Sequence, residues 1–148
     1  MLFKLLVIFH TLGATVWVGG HLILALTILP PALKEQRAEP IRRFEEPFEK
    51  LGLAALLVQV VTGVGLTLIY FPQLEGLWPP RSVVAQYVVI KLGGLLATLA
   101  LAVQARLLIL PKLTATTLPW LGLHIVGVTV LAVLLAVVGT GIRLGGLI

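Results

Sequence analysis

Polar and apolar residues fall in long blocks here, not in the short periods of a soluble fold. Apolar runs cover about 2–29, 51–71, 83–110 and 120–148. Each can cross a bilayer as a helix, which takes roughly 20 residues. Pro30-Pro31 closes the first run, and a polar loop follows from Ala32 to Lys50. Within it, Arg42 to Lys50 reads as a short amphipathic surface helix. Pro72 to Ser82 separates the second and third runs, and its Trp78 and Arg81 suit a membrane interface. Pro111 to Pro119 separates the third and fourth. The pattern predicts an all-α integral membrane protein, a single four-helix bundle over residues 1–148.

Few polar groups interrupt the runs. His10 and His21 lie in the first, Gln59 and Thr62 in the second, Lys91 in the third, and His124 and Arg143 in the fourth. At ~100° per residue, the spacing from His10 to His21 brings the two imidazoles to within ~20° on one helix face, ~16 Å apart. Gly13, Ala14, Trp17 and Gly20 share that face. Ionisable groups at membrane depth are costly and usually face a bundle interior. Two on one stripe predict two sites at different depths.

Composition agrees with this picture and narrows the chemistry. Hydrophobic residues make up 59% and charged residues 11%, against about 25% charged in a soluble domain. The absence of cysteine excludes disulfides, thiolate metal sites and iron–sulfur clusters, and the lone methionine is the first residue. A net charge of +5 needs no nucleic-acid partner, because basic residues ordinarily flank membrane spans. Met1-Leu2-Phe3-Lys4 resembles the start of a signal peptide. The apolar run is too long for one, and no small-residue cleavage site follows, so a retained first span is expected.

Lys34, Arg37, Arg42, Arg43, Lys50, Arg106 and Lys112 flank one side, and only Lys4, Arg81 and Arg143 the other. The positive-inside rule then predicts both termini outside and the long loop in the cytoplasm, in a multi-pass protein of the cytoplasmic membrane. Counting residues from the expected span ends gives an inner layer of His21, His124 and Gln59. The same count gives an outer layer of His10, Lys91 and Arg143. Two neutral imidazoles facing across a four-helix bundle can ligate haem iron, so His21 and His124 are candidate axial ligands. His10, with Lys91 nearby, is the candidate for a second, outer haem. Trp17 lies between the two sites, and Arg143 is a candidate propionate partner. Beside this stands a structural reading, in which histidines, Gln59 and glycines only hold the helices together.

His10 followed by Trp17-Val18-Gly19-Gly20, then Leu29-Pro30-Pro31-Ala32-Leu33, resembles the copper-resistance D (CopD) membrane domain. Arg43-Phe44, Thr62-Gly63-Val64 and Lys91-Leu92 continue that pattern. A related four-span family, the HemJ-type protoporphyrinogen oxidase, shares the early histidine and the lysine of span 3. The resemblance carries over His10 and Lys91 as functional residues, and His21 and His124 stand outside it. The expectation is therefore a haem b protein, with one haem or two, working in membrane electron transfer. Copper binding or transport is the alternative, and porphyrinogen oxidation the second alternative. The bilayer is the expected partner, along with an unidentified electron donor and acceptor. Small residues on the helices are compatible with a homodimer.

Overall fold

The computed structural model describes residues 1–146, and the end of the expected fourth span, residues 147–148, lies outside them. No strand occurs among the described residues. Four helical stretches are long and apolar enough to cross a membrane: Leu2–Glu35, Glu39–Tyr70, Val83–Lys112 and Leu118–Leu144. Their composition makes this a multi-pass membrane protein.

The first stretch is helix α1, Leu2–Ile23, a π-helical turn, Leu24–Ile28, and helix α2, Leu29–Glu35. Pro30-Pro31 was expected to end the span, yet the helix runs past it. Neither proline has an N–H, so the carbonyls of Leu26 and Thr27 lack their usual partners. The chain adapts by widening one turn beforehand, where the Leu29 N–H bonds the Leu24 carbonyl five residues back. The third stretch repeats the device. Helix α4, Val83–Gln104, runs into a π turn, Ala105–Ile109, in which the Leu110 N–H bonds the Ala105 carbonyl just before Pro111.

Helix α3, Glu39–Tyr70, takes up most of the expected polar loop, leaving only a short turn after α2. At 1.5 Å per residue it is roughly 48 Å long, well beyond a hydrocarbon core of about 30 Å. Its charged start, Glu39 to Lys50, therefore stands outside the bilayer core, and its spanning part begins near Leu51. Helix α5, Leu118–Leu144, ends at Gly145, whose φ of 77° suits glycine and lets the Gly146 N–H reach the Gly141 carbonyl.

Helix α1 lies against α3 on one flank and α5 on the other, and α4 lies on α5. Helices α3 and α4 make little contact; a link between them is the ion pair of Arg106 and Glu49 at the basic end. Buried apolar side chains gather in clusters at the two ends. Leu24, Leu29, Ile41, Leu113, Leu118, Leu121 and Ile125 form one cluster, and Phe71, Ala85 and Val88 the other. Between them the buried residues are small: Gly13, Gly20, Gly52, Ala55, Thr62, Thr98, Thr129 and Ala132, with Val128 the bulkiest.

Candidate functional site

Contacts between α1 and α3 set an antiparallel register. Phe3 meets Tyr70 edge to face, and Leu6 lies against Gly65. His10 meets Thr62, Gly13 meets Gln59, and Gly20 meets Phe48. Through this register His10 comes to a layer where all four spans contribute.

In that layer the Thr62 hydroxyl donates to the Val58 carbonyl at 2.6 Å. With its one hydrogen committed there, the hydroxyl oxygen accepts from the His10 Nδ1–H at 2.9 Å. The imidazole is thereby held in one tautomer, with the lone pair on Nε2. Lys91 Nζ, from α4, donates to that nitrogen across 3.4 Å. Glycines allow the approach. A Cβ on Gly63 would sit 3.3 Å from the His10 ring, and one on Gly139 of α5 would sit 3.0 Å from Lys91 Nζ. An imidazole nitrogen and an amine thus face each other at one depth among small residues. Such a pair can bind a metal through Nε2, move a proton, or take an anionic group on the amine.

Arg143, expected in the same layer, instead lies over the Phe3 ring, 5.4 Å from its centroid. Gln59 also leaves its expected place. Counting from assumed span ends put it beside His21, but α3 starts at Glu39, and the packed register sets Gln59 against Gly13. The α3 residue facing His21 is Phe48, with ring centroids 5.8 Å apart.

His21 and His124 share a local design that the sequence displays but that spacing arguments passed over. Trp17-Val18-Gly19-Gly20-His21 and Trp120-Leu121-Gly122-Leu123-His124 both place a tryptophan four residues before the histidine. In each, Nδ1–H donates to that tryptophan's carbonyl, at 2.8 Å for His21 and 2.9 Å for His124. A carbonyl only accepts, so both imidazoles keep their lone pair on Nε2.

The two rings nevertheless face different helices. His21 lies between Trp17, at 4.4 Å between centroids, and Phe48 of α3. His124 faces Gln104 of α4 in an exposed groove. The Thr129 hydroxyl donates to the Ile125 carbonyl at 2.6 Å and lies 3.2 Å from the His21 carbonyl, a contact that places α5 in register with α1. His124, five residues earlier, then lies roughly 7 Å farther toward the basic end. The expected facing pair is not assembled. No group of three His, Cys, Asp or Glu side chains meets in a metal-binding arrangement among the described residues. No family model, no curated protein and no solved structure matches the chain.

Proposed function

We propose that the chain is a haem b-binding redox protein of the cytoplasmic membrane, with its haem held at the layer of His10 and Lys91. One observation carries this reading. Thr62 fixes the Nδ1–H of His10, so the nitrogen that keeps its lone pair for iron is Nε2, which here accepts from Lys91 within the bundle. A neutral imidazole whose second nitrogen is held by a hydrogen bond is the ordinary form of a metal ligand.

The donor set suits such a group, a neutral imidazole and an amine at one depth. Gly63 and Gly139 let the two side chains come together there. Lys91 is long and flexible enough to turn from Nε2 to a propionate carboxylate. His10 would ligate through Nε2, Thr62 would keep its tautomer and ring orientation, and Lys91 would hold positive charge beside it. Bound there, haem supplies one-electron chemistry. The resemblance to the CopD and HemJ-type families points to the same two residues. Porphyrinogen oxidation would use the same layer, and fluorescent protoporphyrin in membranes would reveal it.

A second reading rests on the Lys91–His10 hydrogen bond itself, a donor and an acceptor poised for proton transfer without any metal. Copper is the weaker fit, since among the described residues no group of three His, Cys, Asp or Glu side chains forms around His10.

The test is an absorption spectrum of the detergent-purified protein, oxidised and dithionite-reduced, with a pyridine haemochrome assay. Wild-type protein is expected to show a Soret band and, as its reduced pyridine haemochrome, sharp α and β bands. His10→Ala is expected to lose them, and His21→Ala and His124→Ala to keep them. Loss confined to the His21 and His124 variants would move the haem to those residues. A featureless spectrum from cells supplied with haem would leave the proton relay.

A further inference from the structure

A groove of about 250 Å³ runs between the end of α4 and the start of α5, lined by Gln104, Leu108, Lys112, Trp120 and His124 among others. It is distinct from the His10 layer. The π turn of Ala105–Ile109 forms part of its α4 wall. Leu108 and Trp120 are 62% and 63% exposed, so the groove opens sideways on an apolar surface. Lys112 and the Thr114–Thr117 turn place it where that surface meets water at the basic end. A molecule dissolved in the bilayer reaches it directly.

Its polar groups have a definite sense. His124 gives Nδ1–H to the Trp120 carbonyl, and the amide end of Gln104 lies 3.2 Å from Nε2. Two acceptors do not bond. The neutral pair therefore has the amide turned so that its –NH₂ donates to Nε2. That leaves one amide N–H, the Trp120 indole N–H and the Lys112 ammonium as donors along the groove. Among the described residues that line it Lys112 is the one cation, while Arg106 is engaged with Glu49 of α3. A phosphate recruits several charged donors. One cation, one amide and an indole face suit a flat, uncharged ring bearing carbonyls.

We infer that this groove binds the headgroup of a lipid-soluble quinone. The ring lies on Trp120, and its carbonyl oxygens accept from Gln104 and Lys112. The isoprenoid tail leaves past Leu108 into the bilayer. In the quinol form a hydroxyl donates to the neutral His124 Nε2 in place of Gln104. Binding alone is proposed, and naming a quinone as the mobile partner of the protein rests on the redox reading above.

The test uses the full chain in lipid nanodiscs with a photoreactive azidoquinone. Labelling is expected within residues 104–124, and excess decylubiquinone is expected to prevent it. Gln104→Leu and Lys112→Leu are each expected to weaken that competition about tenfold, whereas Arg81→Gln leaves it unchanged. Labelling spread over every lipid-facing segment, indifferent to these variants, overturns the proposal. So does loss of co-purified phosphatidylglycerol in Lys112→Leu with quinone labelling unchanged, which would assign the groove to a phospholipid headgroup. Haem content, assayed in the same samples, separates the two claims. Specific labelling without haem upholds the groove and ends the redox reading; haem without specific labelling does the reverse.

Discussion

At the scale of single residues, the direction of each hydrogen bond decides what an imidazole can do. Thr62 is the clearest case, because its hydroxyl is spent on Val58 before His10 arrives. Thr62→Val keeps the volume and deletes the acceptor. We expect about 1 kcal/mol of lost stability, since the Gln59 carbonyl remains as a second acceptor near the ring, read as a lower thermal midpoint in detergent. Outside the bilayer core, burial and then the neighbouring Glu49 push the Glu45 carboxyl up to about 7, against the opposing pull of Arg106 and Arg42. The folded chain thus binds a proton there more tightly than the unfolded one. Its contribution to stability is fullest below the ordinary glutamate range and is lost as pH rises through about 7. Glu45→Gln is expected to flatten the thermal midpoint between about pH 5 and pH 8, and an unchanged profile would reject this account. The candidate residues were legible in the sequence as polar interruptions of apolar runs. Their partners were less so. That His10 would find Thr62, or that His21 and His124 would each bond a tryptophan carbonyl, depends on side-chain direction, which residue spacing alone does not carry.

At the scale of elements, the close approach of α1 and α3 rests on particular glycines. A Cβ on Gly20 would fall 2.0 Å from the Phe48 ring, whereas one on Gly19 meets nothing within 4 Å. Gly20→Ala is expected to destabilise by about 1–3 kcal/mol as Phe48 is displaced from beside His21. Gly19→Ala should be neutral or slightly stabilising, since alanine favours the helix. Comparing the thermal midpoints of the two variants checks both at once. The four long helices were readable from hydropathy, because apolar length is a one-dimensional property. Their ends were not. Pro30-Pro31 looked like a stop, and the π turn that absorbs it leaves no separate mark in composition. Gln59 was misplaced for a related reason: depth counted from assumed ends takes no account of the register that Gly20 and Phe48 impose.

For the whole molecule, the basic-residue count predicts a topology that labelling can read cleanly, because the chain has no cysteine. A membrane-impermeant maleimide is expected to label Glu75→Cys in intact cells and Arg37→Cys only after lysis. The reverse result would invert the bundle and move the groove at the basic end to the outer face. The arrangement of the helices has a further consequence. Helices α3 and α4 stand apart, with Arg106 and Glu49 joined at one end. A half-exposed ion pair of this kind is worth little, about 0–1 kcal/mol. On the haem proposal, this lightly packed flank with its weak latch is where a flat molecule dissolved in the bilayer would enter. Under that proposal, assembly would run in two stages, the scaffold first and its cargo afterwards, with the membrane itself as the delivery route.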